Sequence, residues 1–464
     1  MSFFHTKSVA QLHADSENSN LSKDLGVMDL TFLGVGGIIG AGIFVLTGIA
    51  AAKYAGPAIS ISFALAGLLC ILVGLAYSEF ASMIPSSGSV YSYTFASLGE
   101  GMAFLTGWSL LLGYTVTGSA VAVGFSGYLA GILKSYGYII PEVLLKTPAE
   151  GGIINLPAVI IILLLALVLI RGTEQSAKLN TALVFITLAA IISFICIATP
   201  HVEMANFEPF APFGVQGILS GTAIVFFSYM GFDAVATSAE ECKKPERNLP
   251  IGIILSVFIC MCLYVAMALS LTGAINYTDL NTPEPVAHAL RILHWPGVAN
   301  LVAVGAIAGI TTVLLVLLYG QARIFFAMSR DGMVPARVCK IHKRYHTPYI
   351  VTVMGGIFVS IIAGFVPIGV IAEMANIGTL SAFLVAAIGV LVLRITKPDV
   401  PRTFRCPLVW LIAPLAVLTC GYLMYHLPWE TWVRFIVWCT FGCLVYFGYS
   451  YQHSALAHPH DDEE

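Results

Sequence analysis

Charged residues are scarce in this sequence. Asp, Glu, Lys and Arg make up 10% of its 464 residues, whereas hydrophobic residues make up 58%. A soluble domain of this length would need far more charge to cover its surface. The mean hydropathy of +0.89 comes from apolar runs long enough to span a bilayer, such as Leu179–Ala198 and Ile251–Leu271. The composition excludes a soluble protein and indicates an integral membrane protein.

The sequence also lacks the side-chain groups that would build an enzyme. The apolar runs contain no pocket-sized cluster of His, Cys, Asp and Glu, and no glycine-rich phosphate loop opens a soluble domain. The ten cysteines avoid the predicted outer loops, so no disulfide framework is expected. We therefore predict a protein that is not an enzyme and that uses no cofactor, no metal and no nucleic acid.

Cutting the apolar runs at charges and turn residues predicts twelve membrane-spanning helices. Several of them, above all the third, are too long for a straight crossing and must tilt, kink or extend into water. The spans lie near residues 28–54, 57–84, 90–132, 154–171, 178–199, 214–238, 249–273, 298–327, 348–367, 368–394, 408–427 and 430–450.

The distribution of positive charge predicts the orientation of these spans. With the N-terminus inside, only Lys53, Lys134, Lys146, Arg291 and Arg434 fall outside, and the remainder of the 22 Lys and Arg residues fall inside. This is a strong positive-inside bias. The sequence thus predicts a multi-pass protein of the cell membrane with both termini in the cytoplasm.

The first predicted helix carries five glycines in the segment Gly34–Phe44. Each costs a helix about 1 kcal/mol relative to alanine, and together they lie on every side, unlike the one-face spacing of a helix-packing motif. A packing face remains the alternative, but a broken helix is favoured. Unwound backbone inside a membrane is tolerated where it lines a cavity or a ligand.

A second interrupted segment, Phe226–Asp233, falls in the sixth predicted span. Paired broken helices in matching positions of two halves indicate an inverted-repeat transporter. The amides that follow such a break favour a carboxylate, and the carbonyls that precede it favour an ammonium group. The two breaks therefore predict a site that holds both ends of an amino acid without a charged side chain.

Six motifs resemble the amino acid–polyamine–organocation superfamily, and specifically bacterial relatives of its cationic amino acid transporters. The similarity covers nearly the whole chain, with a departure at Lys244, where the family usually has Asn. The motifs are Gly34–Phe44, Glu79–Tyr91, Ile224–Ala234, Glu240–Pro250, Ala306–Thr312 and Arg323–Pro335.

This resemblance implies an all-α integral membrane fold of twelve helices, with two inverted five-helix repeats and two additional C-terminal helices. The corresponding divisions are a cytoplasmic segment 1–27, a first repeat 28–200, a second repeat 201–400, two further helices in 401–450 and a cytoplasmic tail 451–464. The implied partners are an amino acid substrate and membrane lipid; the oligomeric state stays undetermined.

The resemblance also implies the substrate contacts. The carboxylate would meet the amides of the first broken helix, and the ammonium would meet carbonyls of both breaks. Many relatives have Thr where this chain has Ala41, so one hydroxyl contact is missing. The implied substrate-binding residues are Ile38, Gly40, Ala41, Gly42, Phe227, Met230 and Leu318.

The predicted pocket for the substrate side chain is mostly apolar, lined by Phe227, Met230, Leu318 and either Ile377 or Thr379. A cationic side chain would require a carboxylate or open polar space. Neutral, small or branched apolar amino acids are therefore favoured. An exchanger or facilitator of cationic amino acids and a nontransporting amino acid sensor remain as alternatives.

The groups that couple transport to protons in similar family members are absent. Their lysine in helix 5 aligns with Thr187, and their glutamate in helix 3 aligns with Gly113. Losing both together is physically consistent, because a buried lysine without a carboxylate is strained. A sodium ion held by Thr311, Thr312 and helix-1 carbonyls is one alternative, and a proton is another. Ion-free exchange or facilitated diffusion is favoured at least as much.

Two intramembrane carboxylates, Glu79 and Asp233, lie towards the predicted cytoplasmic ends of their spans. Such groups are candidates for function, but a structural role is favoured for both, and Asp233 is expected to face away from the site. The segment Arg323–Asp331 is predicted to be a cytoplasmic lock whose charges face water.

Overall fold

The computed structural model describes residues 3–17, 21, 23–282 and 284–454. Within these ranges the protein is helical. Leu25 and Cys242 form an isolated β-bridge. The predicted tail 451–464 is described only as far as Ser454. The cysteines whose side chains are described are free thiols.

The chain forms a bundle of apolar helices, two of which are interrupted. Their bounds are α1a Val27–Ile38; α1b, made of Gly42–Leu46, Thr47–Ala50 and Ala51–Ala55; α2 Ile59–Met83; α3 Glu100–Ser135; α4 Leu156–Arg171; α5 Thr173–Ala198; α6a Gly214–Val225 with Phe226–Tyr229; α6b Ala234–Thr237; α7 Pro245–Ala274; α8 Pro296–Arg330; α9 Tyr349–Phe365; α10 Ile368–Thr396; α11 Val409–Tyr425; and α12 Trp429–Val445, extended by Tyr446–Ser450 and Tyr451–His453.

Eight helical stretches among the described residues are long and apolar enough to cross a membrane, and four shorter helices are also apolar. The prediction of a multi-pass, all-helical membrane protein is therefore confirmed. The division into twelve spans and two inverted repeats stays a prediction.

The third predicted span, 90–132, is divided into two helices. Val90–Ser97 ends before Gly99, and α3 begins at Glu100. Gly99 has a φ of 98°, a left-handed conformation that glycine adopts readily, and a β-carbon there would lie 2.6 Å from the backbone of Phe4. The predicted third span is too long for one crossing because it includes the separate short helix Val90–Ser97 in addition to α3.

The centre of the bundle is α8, in which every residue from Ala308 to Ile324 is buried. A helix that is apolar on all sides is stable only when other helices surround it. Here α8 packs against α1a, α3, α5 and α9, while α1a also packs against α5 and α7. The interrupted helix α1 is therefore enclosed at the middle of the molecule.

One end of the bundle is closed by ion pairs between segments far apart in the chain. We call this end the basic face and define it by the five cations that take part in these pairs. They are Lys7 with Asp331 (2.7 Å), Arg323 with Glu241 (2.7 Å), Arg330 with Glu240 (3.0 Å), and Arg394 (2.7 Å) and Arg402 (3.1 Å) with Glu79.

Arg323 and Glu241 form the most enclosed of these pairs, with side chains 4% and 0% exposed. The guanidinium donates to both carboxylate oxygens, at 2.7 and 2.9 Å, a charge-assisted bidentate geometry. The hydroxyls of Thr173 and Tyr319 also donate to Glu241.

The prediction that the charges of Arg323–Asp331 face water is wrong, because Arg323 and Asp331 are both 3% exposed. Each of these two charges is neutralised by a partner that is distant in sequence and comes close only in the folded chain.

Glu79 accepts two hydrogen bonds of 2.7 Å from Arg394 and one of 2.8 Å from the amide of Cys406. The carboxylate thus fastens α2 to the end of α10 and to the segment that leads into α11. This is a structural role, as predicted for Glu79.

The Arg323–Glu241 pair generates a prediction about stability. Replacing Glu241 with alanine leaves a buried guanidinium without its counter-charge, and we expect the variant to lose about 3–5 kcal/mol. The measurement is the midpoint of thermal unfolding of purified protein in detergent.

Glu174 provides the matched control for this experiment. It also pairs with a cation, Lys178, at 2.6 Å, but both side chains are more than half exposed, so Glu174→Ala should hardly change the midpoint. The charge-free double variant Glu241→Leu with Arg323→Met should recover most of the loss. Equal midpoints for Glu241→Ala and Glu174→Ala would contradict this account of the basic face.

Candidate substrate-binding site

The break in α1 lies where the glycine run predicts it. α1a ends at Ile38, Ile39 is extended (φ −81°, ψ 101°), and α1b begins after Ala41 with wide turns over Gly42–Leu46. The first amides of a half-helix have no carbonyl partner within that helix, and they carry its partial positive charge. The amides next to Ala41 and Gly42 therefore form an anion-favouring end at the middle of the bundle.

The break in α6 has a different geometry. A tight turn over Phe226–Tyr229 is followed by Met230 in an extended conformation (ψ 138°) and by Gly231 with a φ of 115°. Because that φ is strained for any residue with a β-carbon, Gly231 is the position that allows the chain to change direction. The second half, α6b, begins at Ala234.

The two breaks touch through their backbones. A β-carbon on Gly231 would lie 2.4 Å from the carbonyl oxygen of Gly37, and one on Gly42 would lie 2.3 Å from the Oγ of Ser228. Real β-carbons do not approach other atoms so closely. The glycines are thus required at these two positions, because Gly231 packs against the main chain of Gly37 and Gly42 packs against Ser228.

Tyr264 of α7 joins the two breaks. Its hydroxyl lies 2.8 Å from the carbonyl oxygen of Ile38 and 2.9 Å from that of Ser228. A single hydroxyl proton serves one of them at a time, so Tyr264 compensates one interrupted carbonyl in each helix alternately. The carbonyl of Ile38, one of the predicted substrate-binding residues, therefore already has one partner.

The residues predicted to line the side-chain pocket fall into two groups. Phe227 is partly exposed and packs against the apolar cluster that includes Leu112 and Ile371. Met230 and Leu318 are only 5% and 4% exposed. Phe227 is therefore more exposed than Met230 and Leu318.

The breaks are more accessible than the space that separates them from the basic face. Ala41 and Phe227 are partly exposed, whereas the space between α1a, α5 and α8 on the basic-face side has a volume of about 10 Å³ and is lined by Leu33, Asn180 and Tyr319 among others. That volume holds at most about one water molecule. This space is too narrow for an amino acid.

Two of the predicted ion-coupling residues come together next to the break in α1. A β-carbon on Gly309 would lie 2.9 Å from the carbonyl oxygen of Ile39 and 2.9 Å from the side chain of Thr187. Thr312 donates to the carbonyl of Gly309 at 2.8 Å. These hydroxyl and carbonyl oxygens are of the kind that hard cations prefer.

The other two candidates have different surroundings. Thr311 donates to the carbonyl of Ile307 at 2.7 Å. Gly113 packs against α10, where a β-carbon would lie 2.7 Å from the Oγ1 of Thr379. A glutamate at Gly113 would collide with α10, so the close contact between α3 and α10 occupies the space of the missing carboxylate.

Asp233, at the end of the α6 break, is 1% exposed. Its Oδ2 accepts a hydrogen bond of 2.6 Å from the hydroxyl of Tyr114 in α3. The carboxyl group is thereby directed at α3. Among the described residues, no group of three or more His, Cys, Asp and Glu side chains is placed to hold a metal ion.

Sequence reasoning missed Tyr264 and Ser228. Ser228 lies within the motif Ile224–Ala234, but the motif gives no reason to single out its hydroxyl. Tyr264 brings a polar hydroxyl into the apolar run of α7, but a tyrosine in such a run is equally consistent with ordinary helix packing. Their role depends on the contact between two segments distant in sequence.

Comparison with known proteins identifies the family. Residues 25–451 match the family model described as amino acid permease. The methylthioribose transporter of Bacillus subtilis (strain 168) is 45% identical over 457 residues, 98% of this chain and 99% of the relative. The branched-chain amino acid permease BcaP of the same organism is 44% identical over 461 residues, again 98% and 99%.

More distant eukaryotic relatives match as well. The vacuolar cationic amino acid transporter 4 of Arabidopsis thaliana is 36% identical over 386 residues, 82% of this chain and 64% of the relative. The resemblance deduced from the six sequence motifs is confirmed, and these names point to a transporter and not to an enzyme. The chain belongs to the amino acid permease family of the amino acid–polyamine–organocation superfamily.

Proposed function

We propose that this protein is a permease that carries neutral, small or branched apolar L-amino acids across the cell membrane by alternating access. The observation that carries the proposal is the contact between the two helix breaks, Gly37 against Gly231. Together with the contact between Gly42 and Ser228, it brings the start of α1b next to the end of α6a in the middle of an apolar bundle. This arrangement fits a zwitterion, whose charges are met by helix ends and backbone dipoles.

The surroundings of the breaks favour an uncharged substrate side chain. The carboxylate adjoining them, Asp233, is engaged by Tyr114, and Phe227, Met230 and Leu318 are apolar. Leaving water is costly for a cationic side chain among these apolar residues, because the carboxylate that adjoins them is directed at α3. The similarity to the branched-chain amino acid permease supports the same substrate class. The similarity to cationic amino acid transporters keeps an exchanger or facilitator of cationic amino acids as the weaker alternative.

The methylthioribose transporter is a relative of nearly equal similarity to this chain, and it supports a second candidate function. Methylthioribose is an uncharged sugar with a thioether. An apolar site could hold this uncharged molecule in place of an apolar amino acid. The amide end of α1b would then have no anion to bind. We therefore place it after the amino acids. A nontransporting amino acid sensor, which would bind without flux, is the least supported.

We further infer that the basic face lies in the cytoplasm, with both termini there, and that twelve spans form two inverted repeats of five helices plus α11 and α12. The inference is supported by the excess of Lys and Arg at that face and by the paired breaks in α1 and α6. The conformation would then be closed to the cytoplasm.

The substrate assignment leads to the first transport prediction. Proteoliposomes loaded with unlabelled valine should take up labelled valine by counterflow, because the zwitterion and the small apolar side chain both fit the site. Labelled arginine and labelled methylthioribose are measured in parallel. Counterflow of arginine alone, or of methylthioribose alone, would overturn the assignment, and valine binding without flux would favour a sensor.

The coupling residues lead to a second prediction. Uptake of labelled valine should survive a protonophore in sodium-free buffer, because Thr187 and Gly113 supply no ionisable group and the lysine of α5, Lys178, is 75% exposed at its side chain. Abolition of uptake by the protonophore would contradict this. An added inward sodium gradient is the second arm: faster uptake would support an ion among Thr187, Thr312 and the α1 carbonyls.

A further inference from the structure

Ser228 carries a buried hydroxyl at the junction of the two helix breaks. The residue is 3% exposed, and within the described chain its Oγ has no hydrogen-bond partner. Other hydroxyls of the broken helices, such as those of Thr47 and Thr222, donate to a carbonyl four residues earlier. Leaving a buried hydroxyl unpaired costs free energy. The hydroxyl of Ser228 is unpaired, whereas these other hydroxyls are paired.

The surroundings of Ser228 fix where this hydroxyl lies. A β-carbon on Gly42 would be 2.3 Å from its Oγ and 2.7 Å from its Cα, so the serine occupies the space that a side chain at Gly42 would need. The carbonyl of Ser228 is held by the hydroxyl of Tyr264 at 2.9 Å. The hydroxyl is thus held against the first turn of α1b, next to the amides that favour an anion.

Ala41 explains what a hydroxyl could add at this point. Its side chain is a methyl group, which donates nothing. Ser228 brings a hydroxyl to the same half-helix end from the opposite segment. A hydroxyl that donates to a charged acceptor makes a stronger bond than one between neutral groups.

We propose that Ser228 is a substrate-binding and specificity-determining residue, whose hydroxyl donates to the carboxylate of the bound amino acid together with the amides at Ala41 and Gly42. The inference rests on the proposed function, since it requires a substrate with a carboxylate. It makes the carboxylate a bridge between α1 and α6, so that binding depends on both broken helices at once.

The test compares valine with valinamide on purified protein. Apparent dissociation constants are obtained from the rise in unfolding temperature with ligand concentration. In Ser228→Ala the constant for valine should increase about tenfold or more. The constant for valinamide, whose neutral group accepts a weaker bond, should change distinctly less. A general distortion of the site would weaken both ligands equally and would overturn the proposal.

Ser360 provides the matched control. It is also a buried serine, 6% exposed, whose hydroxyl has no partner among the described residues, but it lies in α9. Ser360→Ala should leave both constants unchanged. Ser228→Cys, which keeps the size and weakens the donor, provides the same readout if the alanine variant does not fold, with an intermediate loss for valine.

The outcomes separate this inference from the proposed function. If valine stabilises the wild-type protein and Ser228→Ala to the same degree, the role of Ser228 is overturned while the amino acid site stands. If methylthioribose stabilises the wild-type protein and valine does not, both are overturned. A selective loss for valine supports both.

Discussion

The close approach of Gly37 and Gly231 is the contact on which the rest of the structure depends. Backbone groups that leave a helix inside a membrane need partners other than water, and here each interrupted segment lies against the other at a distance that excludes a β-carbon. Tyr264 then supplies a hydroxyl to carbonyls on both sides. The packing of α5, α7 and α8 around α1a keeps lipid away from these backbone groups in an otherwise apolar interior.

The basic face and the two breaks are connected through α6b and α8. α6b ends at Thr237, and the acids Glu240 and Glu241 follow within a single short turn. They bind Arg330 and Arg323 of α8, the helix that also packs against the break in α1. Opening this face would separate buried charges, which is costly unless each finds a new partner or water. A ligand that draws α1 and α6 together at the breaks would act on the same segments that hold the ion pairs.

The sequence was sufficient for features that depend on local composition. The glycine run Gly34–Phe44 predicted the position of one break and Phe226–Asp233 that of the other, because a helix-breaking residue interrupts the helix at its own position. Contacts between distant segments could not be predicted: Lys7 and Asp331 are 324 residues apart, and nothing near either one specifies the pairing. The same limit applies to α10, whose packing against Gly113 fills the place of an absent carboxylate, and to Ser228, whose significance arises only when Gly42 lies beside it.

We propose that the two breaks together hold an amino acid through its charged ends. An experimental structure of the protein with bound valine tests this most directly. The account predicts ligand density between Ile39–Gly42 and Phe227–Gly231, with the carboxylate at the start of α1b and the ammonium facing the carbonyls of α6a. Valine located elsewhere, or bound in this place with its two ends reversed, would contradict the account.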